Sequence, residues 1–197
     1  MRDCVITGGI GTGKSTVCKR LRDFGVAVLD ADVLAHELLQ EHHREVAAIF
    51  GETCVEDGVV NRAKLGAVVF TDSQARKSLE ALLHPKVHAG LMEAFLTCKA
   101  QKKPCVLDIP LYYETQSVYE GFDVAVVYAP KRLQLERLCA RNNWDEATAL
   151  LRIEAQLDSE QKRQWADYVI DNSQDLAHLE KEIAAFYRWL KEENVSG

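Results

Sequence analysis

Short runs of adjacent apolar residues, many of them β-branched, alternate along the chain with longer segments whose apolar positions recur every three or four residues. The runs at 4–7, 26–29, 105–108, 124–128 and 168–170 predict five strands. They are continuously apolar, so both faces of the sheet must be covered, as in a parallel sheet of βαβ units. Helices are expected over 14–24, 33–40, 73–100 in one or two pieces, 131–141, 146–156 and 176–192. In the last of these Leu176, Leu179, Ile183, Phe186, Tyr187 and Leu190 form one apolar stripe, with Asn172 or Ser173 as its cap. About 75 residues between the second and third strands hold no clear strand, too many for a simple crossover. They are expected to form a helical lobe, roughly 41–103, beside the sheet of a single domain spanning 1–197.

Composition narrows the classes. The 197 residues are 47% hydrophobic with only 4 Pro, which excludes disordered and collagen-like chains. A net charge of −6 with no basic block argues against nucleic acid as partner. No apolar stretch is long enough to cross a bilayer, and Met1 leads straight into a structured pattern with no signal-peptide profile. A cytoplasmic protein with no membrane partner is expected, a monomer with an oligomer left open. The six cysteines form no C-x-x-C pair and read as buried free thiols.

The segment Gly8-Gly9-Ile10-Gly11-Thr12-Gly13-Lys14-Ser15 satisfies G-x-x-x-x-G-K-[ST] and falls between the first strand and the first helix, where a phosphate-binding P-loop must lie. Gly11, Thr12 and Gly13 would turn backbone N–H groups toward the phosphates of ATP. Lys14 would reach the β- and γ-phosphates, Ser15 would ligate Mg²⁺, and Thr16 adds a hydroxyl near the α-phosphate. Neither N-K-x-D nor D-x-x-G occurs, which argues against a regulatory GTPase and leaves a small-molecule kinase.

Such a kinase needs an acid at the acceptor hydroxyl, an acid near Mg²⁺ and cations over the transferred group. Asp30-Ala31-Asp32 follows the second strand; either acid could cap the next helix, and Asp32 is assigned to the acceptor hydroxyl. Asp108 ends an apolar strand like a Walker-B acid and is assigned to the Mg²⁺ shell. Arg137, Arg141, Arg152, Lys162 and Arg163 fall in or beside a polar segment, roughly 142–164, expected to be a lid. Arg141 and Arg152 are chosen as nucleotide contacts. His84 and His88 are four apart, but no H-E-x-x-H occurs and zinc lacks a third ligand; His84-Pro85 is expected to mark a helix start.

Together the P-loop, Asp30-Ala31-Asp32 with Ala35, Leu83-His84-Pro85, Asp108-Ile109-Pro110-Leu111 with Glu114, Arg141, Gln156 and Val169-Ile170-Asp171-Asn172 closely resemble the dephospho-CoA kinase family, from residue 4 to about 172. The resemblance implies a P-loop fold with a helical CoA-binding lobe and a lid. It implies transfer of the ATP γ-phosphoryl to the ribose 3′-hydroxyl of dephospho-CoA, giving CoA and ADP. It also implies that Asp32 faces the acceptor hydroxyl, Asp108 lies near Mg²⁺, Arg141 contacts the nucleotide, and His84, Pro110 and Leu111 line the acceptor side. Tyr112-Tyr113 depart from the family's commoner Leu followed by Phe or Val, and Asn142 from its commoner Asp. The residues alone also admit a P-loop kinase for another small hydroxyl acceptor, such as a nucleoside or sugar acid.

Overall fold

Cys4-Val5-Ile6-Thr7 is fully buried on both faces and forms β1 (Cys4–Thr7), the middle strand of the sheet in the computed structural model, which describes residues 1–115 and 118–192. The chain continues through α1 (Lys14–Asp23), β2 (Ala27–Asp30), α2 (Ala31–Glu41), α3 (His43–Phe50), a short 3₁₀ turn at Glu52–Cys54, β3 (Val55–Glu56), β4 (Val59–Val60), α4 (Arg62–Thr71) and α5 (Ser73–Ala100). It ends with β5 (Cys105–Asp108), β6 (Asp123–Tyr128), α6 (Lys131–Asn142), α7 (Glu146–Glu154), α8 (Ser159–Trp165), β7 (Tyr168–Asp171) and α9 (Leu176–Lys191). No helix among the described residues is long and apolar enough to cross a membrane.

The five-stranded sheet has the order β2-β5-β1-β6-β7 and is parallel, with helices on its faces. Because β1 pairs with β5 on one side and β6 on the other, the strand order reverses there. A crevice opens at the carboxyl ends of such strands. The register sets Ile6 opposite Asp108 and Thr7 opposite Val126, so the loop after β1 and the acid ending β5 emerge at one edge.

The chain divides into two compact units, 1–29 with 95–197, and Asp30–Ala94. The second starts at Asp30 and ends at Ala94, where 41 and 103 were expected. In the first unit Ile6, Val17, Leu21, Val106, Val127 and Ile170 form the core with Leu179, Ile183, Phe186 and Leu190 of α9. Each such side chain contributes about 1.5–3 kcal/mol by leaving water. Leu176, read as part of that stripe, is instead 72% exposed at the first residue of the helix. The cap of α9 is Asp175, which accepts the His178 amide at 2.8 Å, rather than Asn172 or Ser173.

The second unit has its own core of Leu39, Val46, Cys54, Val60, Leu65 and Leu83. It also contains the β3-β4 hairpin that periodicity did not predict. Two-residue strands are too short to show alternation, whereas Asp57-Gly58, with φ of 50° and 76°, is the hairpin-turn pair that marks them. Pro85 starts no helix: it lies inside the 28-residue α5. Proline removes one intrahelical bond, yet Leu79, Leu82 and Leu83 before it and Leu91 and Phe95 after it are packed, which holds the helix through it. Helix α7 ends at Glu154, short of the expected 156, and α8 follows where only a polar segment was expected. All six cysteines are free thiols; Cys4, Cys18, Cys54 and Cys105 are buried, while Cys98 and Cys139 are half-buried.

Candidate active site

The loop from Gly8 to Gly13 turns tightly between β1 and α1, and two of its glycines are required by geometry. Gly13 is the residue before α1 and has φ of 95°, in the left-handed region that disfavours side chains. A Cβ on Gly8 would stand 2.8 Å from the Val127 carbonyl and 2.9 Å from Thr12 Oγ1. Thr12 Oγ1 in turn donates to the Gly9 carbonyl at 2.8 Å, closing the loop on itself. The amides of Gly11, Gly13, Lys14 and Ser15 donate to no protein acceptor among the described residues. These are the first-turn and loop donors that hold anions, and no side chain caps α1 to compete for them.

A cleft of about 710 Å³ opens over these donors, lined by residues 8–11 and 13–16, Pro110, Arg137, Leu138, Ala140, Arg141 and Gln156. The P-loop residues Gly11, Gly13, Lys14, Ser15 and Thr16 are thus brought together with Pro110 and Arg141. Thr12 is buried beneath the loop. Leu111 is 39% exposed just past the cleft. Lys14 Nζ pairs with Asp108 Oδ1, and Cys18 Sγ donates to Asp108 Oδ2 at 3.3 Å, so both carboxylate oxygens of this buried acid have partners. Burial, and then the Asp108 charge, push the Cys18 thiol well above its ordinary range.

Three residues named in the sequence but assigned no ligand contact hold the loop. Arg137 reaches across to the Gly11 and Thr12 carbonyls at 3.4 and 3.3 Å and donates to the Asn172 carbonyl at 2.9 Å. Its partial burial lowers its pKa without removing its charge. Asn172 Nδ2 donates to the Thr12 carbonyl at 2.7 Å. Gln156 Oε1 accepts the Ile10 amide at 2.8 Å. All three were legible as motif or helix-face residues, but their targets are backbone atoms, which residue type does not disclose.

Several expected residues are engaged by protein partners or are exposed. Arg141 is exposed and donates from Nε to Asn142 Oδ1 at 2.8 Å, so Asn142 is the partner that orients it. Arg152 does not line the cleft; its guanidinium lies 5.9 Å from the Trp144 ring centroid. Arg163 lies over Tyr128 and beside Glu160. Lys162 is fully buried against Glu114. In the second unit, Asp30 rather than Asp32 caps α2, accepting the Asp32 and Val33 amides at 2.9 and 3.1 Å. The helix therefore begins at Ala31, and Asp32 is an exposed acid in its first turn. His84 is exposed on α5.

No group of three or more His, Cys, Asp or Glu residues fit to hold a metal occurs among the described residues. Of the two residues expected to hold a cation, Ser15 lines the cleft and Asp108 has its carboxylate oxygens engaged by Lys14 and Cys18. A hydroxyl and a carboxylate are hard-oxygen donors of the kind that would fit Mg²⁺, which takes one or two protein oxygens and completes its shell with phosphates and water.

Residues 4–178 match the family model for dephospho-CoA kinase. The chain is 43% identical over 187 residues to a dephospho-CoA kinase from Helicobacter pylori strain J99, covering 94% of this chain and 95% of that protein. Among solved structures, one from Thermus thermophilus superposes with a TM-score of 0.82 at 35% identity, covering 97% and 98% of the two chains. A dephospho-CoA kinase from Campylobacter jejuni superposes at 0.77 with 30% identity, covering 95% and 96%.

Proposed function

Since the chain belongs to the dephospho-CoA kinase family, we propose how its residues divide the work of moving a phosphoryl group from ATP to dephospho-CoA. The activity itself is the kinase step of CoA biosynthesis, which decides among the small hydroxyl acceptors that the residues alone left open. The observation that supports the residue-level reading is the convergence of four unpaired amides, Lys14 and Arg141 on one cleft.

The amides of Gly11, Gly13, Lys14 and Ser15 bind the β- and γ-phosphates, with the N-terminus of α1 behind them. Lys14 adds a full charge where negative charge builds on the transferred group. Thr16 carries a hydroxyl toward the α-phosphate. Ser15 and Asp108 hold Mg²⁺, which when bound neutralises phosphate charge. Arg141 holds the nucleotide, and Arg152 is a further nucleotide contact carried on the lid over Trp144.

Asp32 accepts a hydrogen bond from the ribose 3′-hydroxyl of the acceptor and orients its oxygen for in-line attack on the γ-phosphorus. His84, Pro110 and Leu111 line the acceptor side, within the helical CoA-binding lobe and the turn after β5. The transition state is loose, so positioning and charge neutralisation outweigh proton removal. The setting is a monomeric cytoplasmic enzyme with no nucleic-acid partner.

A coupled assay of ADP release tests the reading with dephospho-CoA, adenosine and gluconate as acceptors. Turnover is expected with dephospho-CoA alone; comparable rates with gluconate or adenosine would overturn the acceptor assignment.

A further inference from the structure

Lys162 has no exposed surface, and its Nζ lies 2.5 Å from Glu114 Oε1. Neither Lys162 Nζ nor Glu114 Oε2 makes a hydrogen bond among the described residues. Burying two charges for one imperfect contact adds little stability over an apolar pair of the same size. What the pair fixes is the path of the chain. The same Glu114 Oε1 accepts the Leu157 amide at 3.1 Å, in the turn between α7 and α8. The neighbouring residue Gln156 holds the Ile10 amide of the P-loop at 2.8 Å. Ser159, at the start of α8, accepts Gln134 Nε2 at 2.8 Å and lies against Gly9, whose Cβ would meet Ser159 Oγ at 3.1 Å. One side of the turn is thus seated on the phosphate loop and the other on Glu114.

From this geometry we propose that Glu114 is a positioning residue for ATP binding, with Lys162 as its counter-charge: by holding the Leu157 amide it sets Gln156 on Ile10 and so fixes the phosphate loop. Gln156 satisfies the Ile10 donor, which would otherwise have to be satisfied by bending the loop or by water. The amides of Gly11, Gly13, Lys14 and Ser15 then face the cleft in one fixed arrangement. The inference rests on the reading of the cleft as the ATP site.

Two paired replacements separate positioning from stability. Glu114→Gln with Lys162→Met keeps an oxygen for the Leu157 amide and removes both charges. Glu114→Leu with Lys162→Met is an apolar pair that keeps the packing but offers no acceptor. Titration calorimetry with ATP is expected to place the first within about twofold of the wild type and the second roughly tenfold weaker, the range of one lost hydrogen bond. KM for ATP rises in the second while kcat changes less. Adding Gln156→Ala to the Leu/Met pair is expected to weaken ATP no further, because both changes act on the same contact. Exchange of the Ile10 amide with solvent should speed up in the Leu/Met pair and not in the Gln/Met pair. Equal ATP affinities for the two pairs, or a Gln156→Ala effect that adds in full, would overturn the proposal. Failure of the wild-type chain itself to bind ATP would instead overturn the reading of the cleft.

Discussion

Replacing Lys14 with Met removes a charge from the phosphate cradle and also leaves Asp108 buried without its cation. The side chains of the pair are 16% and 5% exposed, so the carboxylate has little water to turn to, and Cys18 offers only a weak donor. Breaking a buried pair from one side costs about 3–5 kcal/mol, and the residual exposure of Lys14 puts this case at the low end, about 3 kcal/mol. For a chain of this length that corresponds to a melting temperature lower by roughly 6–12 °C. Adding Asp108→Asn removes the stranded charge, and most of the loss should return. Activity is expected to behave differently. Lys14→Met lowers kcat roughly 10²–10³-fold by taking away stabilisation of transferred charge, and the double replacement recovers none of it. Thermal melts by circular dichroism and the coupled ADP assay on the same preparations separate the two effects. If Lys14→Met melts with the wild type, the pair does not hold Asp108. If Asp108→Asn brings back turnover, Lys14 acts through Asp108 and not on the phosphates.

Asp32→Asn is expected to lower kcat roughly 10²-fold or more while ATP affinity by calorimetry changes little; near-normal turnover would remove Asp32 from the chemistry. Gly13→Ala places a Cβ at φ of 95° where it overlaps Asn172 Nδ2 and displaces that group from the Thr12 carbonyl; strain and overlap together should cost about 2–4 kcal/mol, read as a lower melting temperature, and ATP affinity by calorimetry should fall as well. Arg137→Met removes donors to the Gly11 and Thr12 carbonyls of the loop and to the Asn172 carbonyl, and should raise KM for ATP about tenfold, measured under saturating dephospho-CoA. Titration of native thiols with an aromatic disulfide at pH 8 should label Cys98 and Cys139 first. Cys4 and Cys18 are held up by burial and Cys105 is pushed up to about 12, so at that pH they remain protonated, unreactive thiols. Rapid labelling of Cys18 would show that the core beside Asp108 opens more widely than its packing implies.

Elements whose identity lies in side-chain burial were legible from the sequence. All five strands of the sheet are apolar runs, and α9 carries its stripe through Leu179, Ile183, Phe186 and Leu190. The P-loop was legible because glycine spacing and a Lys-Ser pair are demanded by its chemistry. Features set by backbone bonds were not. Asp30 and Asp32 are the same residue type two positions apart, and only the bonds from the Asp32 and Val33 amides show that Asp30 is the cap. The same holds for Asn172, whose side chain serves the Thr12 carbonyl rather than the helix after it. Lys162 illustrates the opposite failure: a cation in a polar segment reads as solvated, and nothing local announces that Glu114, far along the chain, will bury it.

The net charge of −6 argued against nucleic acid as a partner, yet the proposed substrates are themselves polyanions. The resolution lies in how the positive field of the cleft is made. Four amide dipoles and the end of α1 add attraction without adding to the formal charge, and Lys14 and Arg141 supply two cations at the point of use. Arg137 is spent on the Gly11, Thr12 and Asn172 carbonyls, so its charge steadies the donors instead of meeting the ligand first. A field built this way falls off within a turn of helix, whereas a surface of basic residues reaches a Debye length into solvent. On the proposed reading it would favour ligands that present closely spaced phosphates to the loop over an extended nucleic-acid backbone. The acid excess elsewhere on the chain is compatible with that selection, because at physiological ionic strength it is screened from the cleft.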